Sequence, residues 1–418
     1  MSLAPARPRR GPVQAAERAL APDLARGLML LLIVLANTPW YLYGSQPGLS
    51  SVHPVDGSRA DQVVQAVIIT TVDMRVYPMF AFLFGYGIVQ LYRRQIAAGT
   101  EDRTARRILR RRHWWLIAFG FVDAALLWMG DVLAAYGLAG LIMVALFFRR
   151  RDRTLLIWAG VGTALLTLGM IFAVVGSFFA AQAVMSGEPS SFFEPALAVA
   201  AQPNYLASIP MRLLVWAILT PLQGILFLVV PIVMLLSFWA ARRQILEHPG
   251  DHLRLLRRVA VIGIAIGWLG GLPHALDHVG VLPVPDQVAW VFSATQGLTG
   301  MCAGVGYVAA FGLLAHRIST DSASRSGVPG ELSTPVQAIT AVGRRSLSCY
   351  LAQSIICAPI LSAWGLGLGA VLGSATTALF AIGVWLLTVI AAYLLERRGA
   401  RGPAEVLLRR LVYPESAS

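Results

Sequence analysis

The sequence predicts an all-α protein, a polytopic transmembrane helical bundle of about ten membrane-spanning helices with both termini cytoplasmic. Three observations predict it. Of 418 residues, 57% are hydrophobic and only 13% are charged, a balance that would leave a soluble domain with a large apolar surface in water. The 34 basic residues are all Arg. Nearly all fall in clusters one or two crossings apart, at Arg7 to Arg26, Arg93 to Arg112, Arg149 to Arg153, Arg242 to Arg258, Arg317 to Arg345 and Arg397 to Arg410. Between clusters the chain is almost purely apolar, and only Arg59, Arg75 and Arg212 interrupt it. Positive charge flanking apolar spans is retained on the cytoplasmic side, so the clusters set a topology.

Residues 1–20, rich in Ala, Pro and Arg, read as a disordered cytoplasmic tail without a cleavable signal. Residues 21–398 read as the transmembrane domain and 399–418 as a cytoplasmic segment. The first span is Leu24 to Tyr43, followed by an outer loop with Pro47, Gly48 and Asp56. Asp61 to Leu91 is too long for one straight crossing and carries Asp73, Arg75 and Pro78 midway. It reads as an interfacial or tilted half followed by a crossing from Val76 to Leu91. Trp114 to Phe148 would be about 52 Å long as one helix. Arg clusters at both its ends belong on one side, so it reads as a hairpin turning near Gly130 and Asp131. The remaining spans are Leu155 to Met185, Met211 to Ala240, Val259 to His274, Gln287 to His316, Val336 to Ser362 and Gly369 to Leu395. The outer loops carry Asp56, Glu188, Glu194, Asp277 and Asp286 and almost no Arg.

Several function classes recede at once. The net charge of +13 sits in short loops beside apolar runs, where it serves orientation and anionic lipid headgroups rather than nucleic acid. Cys302, Cys349 and Cys357 lie in apolar segments with no CxxC, so neither a disulfide framework nor a metal centre is expected. No phosphate-binding G-x-x-x-x-G-K-[ST] loop and no G-x-S-x-G elbow occurs.

Polar groups inside the spans are the candidates for function, because charge in a bilayer is costly. Asp73 and Arg75 are two apart and do not face each other on a helix, so each needs a partner elsewhere. Asp123 lies deeper than Asp131, which is placed at the outer mouth of the hairpin. Arg344 and Arg345 precede a run containing Ser346, Ser348, Tyr350, Gln353 and Ser354. Two readings stand for these residues: helix locks and snorkelling anchors, or a working site. Asn37 reads as a capping or interhelical hydrogen-bond residue. His274, Asp277 and His278 form a weak metal-like spacing beside Pro273 and read better as a solvated loop. His113 reads as interfacial and His53 as a loop residue; no His is placed deep in the membrane.

A family resemblance runs along the chain. Asp23-Leu24-Ala25-Arg26-Gly27 followed by Asn37 resembles the opening of the YeiB-type bacterial membrane proteins. Tyr77-Pro78-Met79-Phe80-Ala81-Phe82-Leu83-Phe84-Gly85-Tyr86-Gly87 resembles their F-x-F-L-F-G-x-G element. Leu127-Trp128-Met129-Gly130-Asp131-Val132-Leu133 with Tyr136 resembles L-W-x-G-D-I-L-x-x-Y. Gly343-Arg344, Tyr350-Leu351 and Gln353-Ser354 resemble G-R-M-x-L-T-N-Y-L-x-Q-S, and Gly402-Pro403-Ala404-Glu405 with Arg409 resembles G-P-L-E-W-x-x-R. Departures are Asp123 where His is often expected, Cys349 for Asn and Val406 for Trp.

That family is similar in outline to membrane acyltransferases, including heparan-glucosaminide acetyltransferases. The resemblance implies transfer of an acyl group from a cytoplasmic thioester, with acyl-CoA as the donor substrate, to a small-molecule, lipid or glycan acceptor on the outer face. It implies a base at His53 or Asp123, with Asp131 a further catalytic candidate, and Arg75 and Arg344 holding the donor or a developing oxyanion. Asn37, Asp73, Tyr136, Gln353 and Glu405 are the further binding candidates. A proton-coupled transporter using Asp73, Asp123 and Asp131, and a non-catalytic lipid-binding scaffold, stay open. A homodimer is open too, since Gly365 to Gly373 suits packing within or between chains.

Overall fold

The structure is a computed structural model that describes residues 19–180, 191, 193–282, 284–326 and 332–413. The expected tail up to residue 18, Glu188 and the end of the span read to Met185 lie outside the described residues. The described chain is a helical bundle. α1 (Leu20–Asn37) passes into a short 3-10 turn, Thr38–Tyr41. α2 (Arg59–Thr71) and α3 (Val76–Ala97) divide the over-long second segment. α4 (Asp102–Leu126) and α5 (Leu133–Phe147) make the expected hairpin. α6 (Asp152–Ala180) follows, then a short α7 (Glu194–Ala201). α8 (Tyr205–Pro221) runs through a π turn, Leu222–Leu226, into α9 (Val229–Arg242). α10 (Leu253–His278) and α11 (Val291–Ser326) pair antiparallel, Gly263 against Cys302 and Gly270 against Thr299. α12 (Thr334–Arg344), α13 (Ser346–Leu361), α14 (Ser374–Arg397) and α15 (Pro403–Val412) complete the chain.

Among the described residues, seven helical stretches are long and apolar enough to cross a membrane, and α5, α9 and α13 are shorter apolar helices. The outward faces suit such a solvent: Phe172 on α6, Leu269 on α10 and Leu379 on α14 are 67%, 70% and 69% exposed, which water would not tolerate as a continuous girdle. The Arg clusters gather at one end of the bundle. There Arg242 reaches Asp152 and the Phe148 carbonyl, and Arg344 and Arg345 both reach Glu396. The loops 42–58, 278–290 and 362–373 meet at the far end, where His278 holds the Pro54 carbonyl and Gly44 packs on Ala370.

Two breaks have a common cause. Pro78 falls in the first turn of α3, so a helix continued upstream would drive its ring into the Met74 carbonyl. The chain turns instead, with Met74 at φ 60°. Pro231 stands in the same place in α9, and Leu228 takes φ 61°. The span read as Met211 to Ala240 is therefore two helices. The one read as Val336 to Ser362 also breaks, at Arg345, leaving α13 as its apolar part. In contrast, Pro273 does not end α10, which continues to His278. Gly365 and Gly369 pack within the chain, on Pro359 and on the Tyr41 and Leu361 carbonyls.

Candidate functional site

The Met74–Arg75 turn lies in a slot cut into the α10–α11 pair. A side chain at Gly271 would overlap the Arg75 guanidinium, and one at Gly304 would stand 2.7 Å from the Arg75 carbonyl. Arg75 is fully buried. It donates to the Asp73 carbonyl, to Gln296 Oε1 and, at 2.6 Å, to the Gly267 carbonyl. Asp73 and Arg75 thus each have partners elsewhere in the sequence, and Arg75 spends its donors on carbonyl oxygens that fix the turn.

The turn aims the Asp73 carboxylate at His53, with His53 Nε2 2.9 Å from Asp73 Oδ2. His53 is 0% exposed. Its loop is held by Gln65, which donates to the Pro54 carbonyl and to Ser374 Oγ, both at 2.9 Å. Asp61 adds a second clamp, capping α2 with Ser58 and accepting the Ala375 amide of α14 at 2.8 Å. An ionised carboxylate only accepts, so His53 donates through Nε2 and its lone pair lies on Nδ1. That nitrogen is buried and without a hydrogen-bond partner among the described residues. A base oriented by a carboxylate, with its lone pair free, is the arrangement of general-base catalysis.

His274 and His278 do not form a solvated loop. Both lie on α10, one turn apart, and face the His53 loop: His274 Nε2 is 3.0 Å from Ser50 Oγ, and His278 Nε2 is 3.1 Å from the Pro54 carbonyl. The His53 and His278 rings are 6.0 Å apart. His113 is buried among helices. It is 0% exposed, against Gly140 and the Phe84 ring.

A cavity of about 410 Å³ opens at the Arg-rich end. Its walls run from charge to apolar surface: Arg94 to Phe80 on α3, Arg112 to Leu116 on α4, and Arg344 through Ser346 to Tyr350 on α12 and α13. Arg26 and Asp23 line the mouth and pair at 3.3 Å. The Arg112 guanidinium lies 5.3 Å above the Phe84 ring, with Nη1 buried and unpartnered among the described residues. Beyond the floor stands Tyr136, its ring 4.4 Å from Phe80 and its hydroxyl donating to the Tyr77 carbonyl at 2.7 Å. Val76 begins α3 about 6 Å of helix rise before Phe80, and the Met74–Arg75 turn that precedes it leads to the His53–Asp73 dyad.

Beside the floor is an acid pair. Ser354 and Tyr350, one turn apart on α13, present their hydroxyls to Asp123 Oδ2 at 3.1 Å and Asp131 Oδ1 at 3.4 Å. Asp131 also accepts the Ala134 amide at 3.0 Å, capping α5. It therefore folds back to the depth of Asp123 and Gly120 rather than opening to an outer mouth. Gln353 donates to the Leu30 carbonyl at 3.1 Å. Glu405 lines the cavity and accepts the Leu347 and Ser348 amides at 2.9 and 3.2 Å, capping α13. Asn37 makes no side-chain hydrogen bond to a described residue and caps nothing.

Gln296 escaped the sequence reading, and Arg212, noted there as falling between the Arg clusters, was given no role. Gln296 is uncharged, yet a polar amide in an apolar run was a signal of buried hydrogen bonding. Arg212 is 2% exposed and holds the α4–α5 tip through the Ala125 carbonyl at 2.8 Å.

Comparison with known proteins agrees with these motifs. Residues 240–415 match the family model described as a protein of unknown function, DUF418. The chain is 25% identical to the uncharacterized protein YxaH of Bacillus subtilis (strain 168) over 415 residues, covering 94% of this chain and 93% of that one. It is 25% identical to the uncharacterized protein YeiB of Escherichia coli (strain K12) over 410 residues, 94% and 96% of the two chains. A match of 32% identity over 162 residues, 39% of this chain and 42% of the other, reaches an uncharacterized 39.9 kDa protein from the amylase 3' region of Bacillus acidopullulyticus. The chain is thus similar along nearly its whole length to the YeiB-type proteins, and its C-terminal part, residues 240–415, carries the DUF418 match.

Proposed function

We propose that this protein is an acyltransferase of the bacterial cytoplasmic membrane, with its Arg-rich end in the cytoplasm and about ten crossings. The donor is a thioester such as acyl-CoA, entering the cavity with its phosphates at Arg26, Arg112 and Arg344 and its acyl end toward Phe80. The acceptor, a glycan, lipid or small molecule on the outer face, gives its proton to His53 Nδ1 as its oxygen or nitrogen attacks the thioester carbonyl. The carbon–sulfur bond breaks, and the leaving thiolate takes up a proton. Asp73 keeps the His53 tautomer and stabilises the imidazolium. Tyr136 closes the path, and turning its ring aside is the opening move that this reading requires.

One observation carries the reading: a cavity rimmed by Arg and floored by aromatic rings lies along α3, whose N-terminal turn leads on to a His–Asp dyad whose Nδ1 has no hydrogen-bond partner among the described residues. Thermal unfolding of purified protein with acetyl-CoA and longer acyl-CoAs tests the donor site. A ligand bound to the native state alone raises the midpoint with concentration. The wild type is expected to show that rise and Arg344→Ala to lose most of it. No rise with any thioester would remove the donor site.

The acid pair supports a second reading, proton-coupled transport. Asp123 and Asp131 are buried, bonded to hydroxyls, and have no Arg within ion-pair distance among the described residues. Substrate flux in proteoliposomes that depends on pH, and on Asp123, would favour it.

A further inference from the structure

A chain of side-chain hydrogen bonds runs behind the dyad: Ser50 to His274, His274 to Gln296, Gln296 to Arg75, and Arg75 to the carbonyl of Asp73. Its proton positions follow from donor chemistry alone. A guanidinium only donates, so the Gln296 oxygen faces Arg75 and its NH₂ faces His274. His274 Nδ1 must then accept. The ring proton lies on Nε2 and is donated to Ser50 Oγ. His274 is therefore held as the neutral Nε2–H tautomer by a charge two residues along the chain of bonds.

The chain also joins the two halves of the dyad. Ser50 is on the loop that carries His53, and Arg75 holds the turn that carries Asp73. Adding a proton to His274 Nδ1 sets it donor to donor against the Gln296 amide. If the amide flips, its NH₂ faces Arg75 instead, and the conflict moves one bond along. Either way a link is lost. The groups facing His274 are Asp73 and Arg75 from the turn, His53 from the loop and His278 on its own helix. α11 contributes only the uncharged Gln296 and the Phe292 ring stacked at 5.1 Å.

We propose that Gln296 and His274 are positioning residues that keep the His53–Asp73 pair assembled, and that protonation of His274 from the outer face releases that pair. The proposal deepens the acyl-transfer reading and rests on the dyad being its working centre. Its test does not need transfer to occur.

The experiment is long-range ¹H–¹⁵N correlation on full-length protein, ¹⁵N-labelled at His and held in nanodiscs, with each ring assigned from His53→Asn, His274→Asn and His278→Asn. At neutral pH, His274 is expected to show a protonated Nε2 and a bare Nδ1. The His53 Nε2–H signal, shifted downfield by Asp73, is expected to vanish on acidification together with the neutral signature of His274. Gln296→Glu gives both neighbours an acceptor, so the His53 signal should persist at least one pH unit lower than in the wild type. Gln296→Leu should abolish it at neutral pH. An Nδ1–H or doubly protonated His274 in the wild type, or a His53 signal indifferent to both variants, overturns the proposal. Absence of acyl transfer with these NMR results intact would instead overturn the reading of function and leave the relay standing.

Discussion

His53→Ala is expected to lower acyl transfer by about 10²- to 10⁴-fold, the usual contribution of a general base. The helical bundle should keep its thermal midpoint, because His53 has one side-chain hydrogen bond among the described residues, to Asp73, and its loop is anchored independently by Gln65 and Asp61. Donor binding should be unchanged, since the dyad lies beyond the cavity floor. The signature is a loss in kcat with thioester affinity retained. Asp73→Asn should fall in the same direction, because an amide can donate to His53 and favour the wrong tautomer. Equal turnover in His53→Ala and wild type would remove the dyad from the chemistry.

Arg75→Met is expected to produce the largest loss of stability from a single change. It leaves three buried acceptors without their donor, the Asp73 and Gly267 carbonyls and Gln296 Oε1. An orphaned buried acceptor costs about 1–3 kcal/mol in water-soluble proteins, and hydrogen bonds between membrane helices average nearer 0.6 kcal/mol. Over three acceptors these figures give about 2–9 kcal/mol, enough to lower the midpoint clearly. Arg75→Lys should rescue little, because an ammonium on a single stem does not span carbonyls that a planar fork reaches together. A midpoint for Arg75→Met equal to that of wild type would show that the turn is held by the α10–α11 glycine slot alone.

The parts of the fold legible in the sequence were those marked by charge or proline. Asp73, Arg75 and Pro78 announced the α2–α3 break, and paired Arg clusters with Gly130 and Asp131 announced the α4–α5 hairpin. The break at Leu228 carries no charge, and Pro231 looks ordinary inside an apolar run, so it passed unseen. Arg345 stood out with its flanking cluster, but its partners did not: its guanidinium lies against Glu396 and two carbonyls. Pro273 gave a false stop, since α10 continues through it to His278.

For the site, residue types were legible and partners were not. His53 and Asp73 both stood out, but one is in a loop and the other in a turn, and only the fold brings them within 2.9 Å. Asp123 meets Ser354 across 231 positions of sequence. Gln296 and Ser50 carry no charge and so escaped a search for costly groups, yet they complete the chain behind the dyad. Arg75 and Glu405 read as ligand binders; in the structure Arg75 bonds to the Asp73 and Gly267 carbonyls and to Gln296, and Glu405 to the Leu347 and Ser348 amides and the Ser348 hydroxyl.

Side-resolved transfer tests the central claim most directly. Oriented proteoliposomes would receive ¹⁴C-acetyl-CoA at the Arg-rich face and a mixture of hexosamine, glycan and glycerolipid acceptors at the opposite face. The account predicts label covalently attached to an acceptor on the opposite face, absent with His53→Ala and reduced with Arg344→Ala. Label that stays on the thioester for every acceptor, or that transfers equally well with His53→Ala, would contradict it.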